Sequence, residues 1–244
     1  MKDVCFCVAE NALIAKDVYK MRLTGDTSDI TQPGQFVNFK LQGLYLRRPI
    51  SVCDVECGSL TVIYKVVGTG TAQLSQTQPG ARLYALTGLG NGYDLSCAGD
   101  KPLLLGGGVG VPPLYLLAKQ LISMGKTVQV VLGFNRADEV FYADEFRALG
   151  CRVSIATADG SIGVKGFVTD ALPSEYSYFY TCGPEPMLKA VARKTVTGGQ
   201  MSFEARMGCG FGACMGCSCE TLAGSKRICK DGPVMRKEEI KWGD

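Results

Sequence analysis

One run of cysteines and glycines near the C-terminus constrains this chain more than any other stretch. It reads Met207-Gly208-Cys209-Gly210-Phe211-Gly212-Ala213-Cys214-Met215-Gly216-Cys217-Ser218-Cys219, and Cys229 follows in Ile228-Cys229-Lys230-Asp231-Gly232-Pro233. Taken as a set, Cys209, Cys214, Cys217 and Cys229 give C-x4-C-x2-C-x11-C, the plant-type spacing for four thiolates around a [2Fe–2S] cluster. Bridged irons need soft anionic sulfur, and the small residues between the first three cysteines let one loop wrap closely. Gly208, Gly210, Gly212 and Gly216 tolerate positive φ and can turn backbone N–H groups toward the sulfurs. Two plainer readings compete, a structural zinc site and a disulfide knot. Zinc favours separated C-x2-C pairs or mixed Cys/His sets, and this chain has no histidine. Cys219 is a fifth thiol in a set that needs four, and is read as a spectator.

Composition narrows the rest. At 244 residues the chain can bury a large core and hold two domains with a small appended module. A net charge of +3, with Lys and Arg scattered, offers no basic face for nucleic acid. The N-terminus, Met1-Lys2-Asp3-Val4-Cys5, lacks an apolar signal core, so the cysteines fit a reducing cytoplasm better than a secreted disulfide scaffold. The longest uncharged stretch, Pro102 to Ala118, is interrupted by glycines and by Pro112-Pro113 and is no membrane span.

From Val4 to about Leu95, short alternating apolar runs are divided by Gln32-Pro33-Gly34 and Gln78-Pro79-Gly80. Strands are expected over Val18–Leu23, Phe36–Phe39, Ser51–Val55 and Ser59–Lys65, the spacing of an antiparallel barrel. Arg48-Pro49-Ile50-Ser51 opens one of these, Ile63-Tyr64-Lys65 ends the next, and a glycine-rich turn, Val67 to Leu74, then runs into a helix start. Alone, an arginine pair at a strand end is usually solvated, but backbone N–H groups at such a terminus favour phosphate, with Thr71 as a cap. Together these elements resemble the flavin domain of the ferredoxin-reductase superfamily, whose R-P-x-S element is similar to Arg48-Pro49-Ile50-Ser51. The resemblance implies that Arg48 meets the flavin phosphate and Ser51 lies against the isoalloxazine ring, with Ile63, Tyr64, Lys65, Gly70 and Thr71 completing the site.

After Ala98-Gly99-Asp100 the pattern becomes alternating strand and helix. Pro102–Leu105 is a buried strand, Gly106 to Pro113 a glycine turn, and Leu114–Met124 a helix, a unit that admits a pyrophosphate at the helix N-terminus. The plain alternative for the turn is a tight connection with no ligand. Gly108-x-Gly110-x-x-Pro113 is similar to the G-x-G-x-x-P of ferredoxin-reductase nicotinamide domains, which assigns Gly107, Gly108 and Gly110 to the dinucleotide. The strand Thr127–Phe134 ends in Asn135-Arg136, where such domains contact the adenosine ribose, and no acid sits cleanly there, so NAD and NADP both stay open. A helix Tyr142–Leu149, a strand Cys151–Ala156 and a strand Tyr178–Thr181 follow. The last delivers Cys182-Gly183-Pro184 to the sheet edge where α/β folds bind ligands. By the same resemblance Cys182 lies near hydride transfer, the catalytic candidate, beside Gly183 and Pro184. A small buried thiol capping a strand is the equal alternative. The helix Pro186–Thr195 and a strand Ser202–Ala205 lead to the cysteine loop.

The order of these pieces resembles, over essentially the whole chain, the family of electron transfer subunits of class 1B dihydroorotate dehydrogenases. That likeness implies three units: an antiparallel Greek-key flavin-binding β-barrel (1–97), a parallel-sheet nicotinamide-binding α/β domain (98–200) and a [2Fe–2S] module (201–244). It implies FAD, the cluster and NAD, and a separate FMN-bearing catalytic subunit in a heterotetramer of two of each chain. Departures are Cys219 and Met235, where an aromatic is expected. With no histidine, and no thiol or hydroxyl placed with a base, no dihydroorotate site is expected in this chain. Two rivals stand beside this reading: the flavin/iron–sulfur subunit of an NAD(P)H:ferredoxin oxidoreductase or sulfhydrogenase, and a zinc-stapled nucleotide-binding regulatory module.

Overall fold

The computed structural model describes residues 1–242. Its first part is a closed six-stranded barrel of β1 (Lys2–Ala15), β2 (Val18–Thr24), β3 (Phe36–Lys40), β4 (Arg48–Glu56), β5 (Ser59–Lys65) and β6 (Arg82–Leu89), ordered β1-β2-β5-β4-β3-β6 with antiparallel neighbours. The period of two that marks these strands in the sequence is the barrel wall: Val4, Phe6 and Val8 point inward while Cys5 and Cys7 face out. Helix α1 (Thr69–Ser75) closes one end by burying Leu74 among Phe39, Val62 and Tyr64. Pro49 is tolerated in β4 because at that height the strand pairs with Asn38 of β3, and its ladder with β5 begins only at Val52.

The second part is a sheet ordered β10-β9-β8-β7-β11-β12-β15, built from β7 (Leu103–Gly107), β8 (Gln129–Phe134), β9 (Arg152–Thr157), β10 (Val164–Lys165), β11 (Phe179–Cys182), β12 (Gly199–Ser202) and β15 (Val234–Arg236). All pairings are parallel except the last, β12 with β15. Continuous apolar runs such as Leu103-Leu104-Leu105 are buried because α2 (Pro113–Ser123), α3 (Ala143–Ala148) and α4 (Glu185–Lys194) connect and cover these strands.

One expectation is corrected here. The strand expected over Ser202–Ala205 lies at Gly199–Ser202, because bare Gly199 fits against the Phe179 ring, which any Cβ would overlap. The C-terminal module is tied in at both ends. It leaves the sheet after β12, crosses the outside of the barrel, forms the hairpin β13 (Ser218–Thr221) and β14 (Gly224–Arg227), and returns to the same sheet as β15. Both of its ends are therefore fixed by the α/β sheet.

Candidate functional site

The cysteine loop arranges its thiols in two pairs. In the first, the Cys209 N–H donates to Cys214 Sγ at 3.4 Å, while Ala213 and Cys214 N–H groups donate to Cys209 Sγ at 3.2 and 3.4 Å. In the second, the Cys229 N–H donates to Cys217 Sγ at 3.4 Å, and both residues are buried. Among the described residues, no three Cys, Asp or Glu side chains gather as a single-ion site. Two pairs of thiolates held by N–H donors are what two bridged irons require, so the residues present fit a [2Fe–2S] cluster. Cys219 belongs to neither pair; it sits on β13 opposite Lys226.

The loop's glycines divide their work differently from expectation. Gly210 and Gly212 have φ of +77° and +93°, but the third left-handed position is Met215, at +60°, rather than Gly208 or Gly216. Gly208 serves closeness instead, since a Cβ there would stand 3.1 Å from Cys214 Sγ. Burial works to raise the Cys209 thiol, yet N–H groups of Phe211, Cys214 and Ala213 outweigh it and bring it down to about 6. Burial, and then the neighbouring Cys217 sulfur, push Cys229 up to about 12. Metal binding must therefore release a proton from this pair.

Two clamps hold the loop to the fold. Arg227, paired with Asp231 at 3.0 Å, donates to the Gly212 carbonyl at 2.9 Å. On the other side Asn38 of β3 donates from Nδ2 to the Cys209 carbonyl at 3.1 Å. Asn91, just after β6, receives the return of the chain, its N–H donating to the Gly232 carbonyl at 2.7 Å. Phe36, also on β3, packs with buried Cys217 and Cys229.

At the flavin element, Arg47 is tied to Asp3 at 2.9 Å, whereas Arg48 has no carboxylate partner among the described residues. The Arg48 guanidinium lies against Gly70 so closely that a Cβ there would overlap it. The fold thus brings together the two motifs that the sequence holds twenty-odd residues apart. The Thr71 hydroxyl is not free at the helix start: it accepts the Val67 and Gly68 N–H groups at 2.9 and 3.2 Å. Ser51 and Pro49 face out of the barrel beside Phe36 and Asn38, their cross-strand partners, while Ile50 packs inward. Tyr64 is buried, its hydroxyl donating to Asn11 at 2.9 Å, and Ile63 packs into the core shared with the α/β sheet. Lys65 reaches that sheet directly, meeting Glu139 at 3.2 Å. Glu139 in turn accepts the Asn135 N–H and Nδ2. Ile63 and Lys65 therefore meet the neighbouring part of the fold, while Tyr64 stays within the barrel, bonded to Asn11 of β1.

At the nicotinamide element, the turn after β7 and the end of β11 touch. A Cβ on Gly110 would overlap the Cys182 carbonyl, and one on Gly107 would meet Met187 Sδ, in the helix that follows Pro184. Gly108, at φ +52°, has open space where a Cβ would be, as a backbone that approaches a phosphate needs. Cys182 is buried, and burial raises its thiol far above the usual range, so it stays protonated and packs rather than exchanging protons. Three nearby groups carry no motif that would single them out in the sequence. Tyr93 is buried with its hydroxyl donating to the Thr181 carbonyl at 3.1 Å. Asn38 is the second. Glu204, just after β12, is the third; partial desolvation raises its carboxyl although the residue is solvent-exposed.

Known proteins share this arrangement. A family model described as the iron–sulfur cluster binding domain of dihydroorotate dehydrogenase B matches residues 204–241, and an oxidoreductase NAD-binding domain model matches 104–193. A chain in the structure of the NADH-dependent reduced ferredoxin-NADP oxidoreductase superposes with a TM-score of 0.86 at 30% identity, covering 97% of this chain and 90% of that one. A ferredoxin NADP+ reductase from Neisseria gonorrhoeae, at 0.69 and 17% identity over 80% of this chain and 90% of its own, shares the fold. The protein named dihydroorotate dehydrogenase B (NAD(+)), electron transfer subunit, from Bacillus caldolyticus is 45% identical over 248 residues, 96% of each chain. The protein of the same name from Fusobacterium nucleatum subsp. nucleatum is 42% identical over 251 residues, again 96% of each. On that likeness, spanning barrel, α/β sheet and cysteine loop alike, the chain belongs to the family of dihydroorotate dehydrogenase B electron transfer subunits.

Proposed function

We infer that this chain is the electron transfer subunit of an NAD-dependent dihydroorotate dehydrogenase, an oxidoreductase of pyrimidine biosynthesis that carries FAD and a [2Fe–2S] cluster and exchanges electrons with NAD. The observation that carries the reading is placement. Both cysteine pairs lie against the outer face of β3, and the neighbouring strand β4 presents Pro49 and Ser51 on that same face. A nicotinamide exchanges electrons as a hydride pair, a cluster accepts them singly, and a flavin between them converts one mode to the other. The chain's own residues supply positions. Cys209 with Cys214, and Cys217 with Cys229, would hold the irons. Arg48, with no acid partner among the described residues, would meet the flavin phosphate, with Pro49, Ile50, Ser51, Gly70 and Thr71 shaping that site and Ile63, Tyr64 and Lys65 fixing its back. Gly107, Gly108 and Gly110 would admit the dinucleotide, and the buried thiol of Cys182, with Gly183 and Pro184, would pack its nicotinamide end.

The relatives' name supports a catalytic partner subunit. We propose that this partner bears FMN and oxidises dihydroorotate, that two of each chain assemble, and that they work in the cytoplasm. Among the described residues no helix is long and apolar enough to cross a membrane. The three functional units are 1–97, 98–200 and 201–244. The likeness at 30% identity to the NADH-dependent ferredoxin-NADP oxidoreductase is weaker than that at 42–45% to the subunit's namesakes. Purification under anaerobic conditions tests the reading. The protein should be yellow-brown, contain iron and acid-labile sulfide, bleach with NADH and pass electrons to artificial acceptors, while producing no orotate from dihydroorotate alone. A colourless, zinc-containing protein, or orotate formation by the single chain, would overturn it.

A further inference from the structure

The strand that opens with the flavin element, β4, carries a bulge where helix α2 packs against it. Val52 pairs with Val62 of β5 and Asp54 with Thr61, which leaves Cys53 as an extra residue on the β4 side. Such an insertion bends a strand and breaks its alternation of faces. Val52 and Val55 accordingly pack into the barrel, while Cys53, fully buried, packs into the core of the α/β sheet. Cys53 and Asp54 thus stand side by side on the outer face, toward α2.

Lys119 of α2 closes this contact. Its ammonium donates to both Asp54 oxygens, at 3.0 and 3.3 Å, and to Glu56 Oε1 at 3.0 Å. The Val55 N–H, at 2.9 Å, holds the Asp54 carboxylate from its own strand. An exposed ion pair fixes little, but the Asp54 side chain is only 17% exposed, and Cys53 beside it shares one core with Leu114, Leu117 and Leu121 of the helix. The clamp therefore marks one point along both elements. Pro113 lies six residues before Lys119, roughly 9 Å back along α2. Ser51 lies three residues before Asp54, roughly 10 Å back along β4. Ile63, one step past the Val52–Val62 pair, packs in the same core as Val111 and Leu114, which sets the start of α2 at the Ser51 end of β4. The clamp thus holds the glycine turn level with the flavin element, and a slip of α2 along β4 would carry one past the other by the same amount.

We propose that Lys119 is a positioning residue for hydride exchange: by tying α2 to Asp54 and Glu56 of β4, it sets the dinucleotide turn against the flavin element. This rests on the electron-transfer reading above. Lys119 touches neither reactant in this role, keeps its proton and changes no bond. What it fixes is the separation of the two elements between which the hydride passes.

The test uses FAD- and iron-loaded protein carrying Lys119→Met, Lys119→Arg or Asp54→Asn, followed by anaerobic stopped flow over a range of NADH concentrations. In Lys119→Met the limiting rate of flavin reduction should fall about tenfold, the scale of a slip by a fraction of an ångström. The NADH concentration giving half that rate should change less than about twofold, because binding contacts are untouched. The long-wavelength charge-transfer absorbance of reduced flavin with NAD+ should weaken in parallel, while electrons should pass from flavin to cluster at the wild-type rate. Lys119→Arg should restore both the limiting rate and the absorbance, and Asp54→Asn, which leaves Glu56 in place, should fall between. A Lys119→Met protein that melts lower yet reduces its flavin at the wild-type limiting rate refutes the proposal, since the clamp then only stabilises. Equal losses in Lys119→Met and Lys119→Arg, or an equal slowing of cluster reduction, refute it as well. Should Lys119→Met fail to fold or to hold FAD, Asp54→Asn decides: a wild-type limiting rate there counts against the proposal and a lowered one with unchanged NADH dependence supports it. Wild-type protein lacking flavin or iron would instead sink the underlying electron-transfer reading.

Discussion

Gly110→Ala tests whether contact between the glycine turn and the end of β11 sets the nicotinamide site. The new Cβ would fall inside the van der Waals envelope of the Cys182 carbonyl and the Gly183 nitrogen, and all of these are backbone atoms that no rotamer change can move. Ordinary Cβ contact begins at 3.4 Å, so the two segments must part by about 1 Å, a displacement that can cost on the order of a hundredfold in a transfer step. Overpacking of this kind destabilises by roughly 1–3 kcal/mol. At this chain length each kcal/mol lowers Tm by about 2–4 °C. Gly125→Ala is the control: its φ is also positive, at +76°, but a Cβ there meets nothing within 4 Å, so it adds backbone strain without displacement. Stopped-flow reduction of the flavin by NADH should fall about a hundredfold in Gly110→Ala and stay at the wild-type value in Gly125→Ala, with iron content unchanged in both. Gly110→Ala protein that melts several degrees lower yet reacts with NADH at the wild-type rate would show that this contact serves stability alone.

Cys229→Ser should abolish bound iron and acid-labile sulfide while leaving flavin content and NADH oxidation by artificial acceptors intact, as iron analysis and a diaphorase assay would report; retained iron would assign the fourth ligand elsewhere, Cys219 first. Arg48→Gln removes a cation that pairs with no carboxylate among the described residues, so thermal stability of the flavin-free protein should not change. Flavin retention, read by dialysis, should weaken roughly ten- to hundredfold for the loss of one charge-assisted bond of about 1.5–3 kcal/mol. Glu139 tests the join between barrel and sheet. Burial raises its carboxyl, but Lys65 and the Asn135 N–H groups together lower it by more, leaving it below the usual value of 4.5. A depressed carboxylate stabilises the fold above its unfolded pKa and loses that stabilisation as pH falls through the folded one. Glu139→Gln should therefore cost about 0.5–1 kcal/mol at pH 7, after allowance for partial exposure, and nothing once pH drops below both values. An equal loss at pH 3 would mean packing, not charge, joins the two parts.

What the sequence determined by itself is what short-range chemistry encodes. Four cysteines within one loop and its return point to a donor set, because sulfur spacing is a local constraint. Alternation along Val4–Val8 or Ser59–Lys65 fixes which face is buried, and Leu103-Leu104-Leu105 before a glycine turn fixes a parallel strand followed by a helix. Tertiary structure decided everything that depends on residues far apart meeting. Asn38 and Cys209 are 171 positions apart, and nothing in Phe36-Val37-Asn38-Phe39 distinguishes the asparagine from an ordinary outward residue. The partners of Tyr64 and Lys65, Asn11 on β1 and Glu139 beyond β8, likewise lie on other elements that only folding brings near. The return of Val234–Arg236 to the α/β sheet likewise has no signature in three residues, because an edge strand is selected by the unpaired backbone of its neighbour and only folding supplies that neighbour.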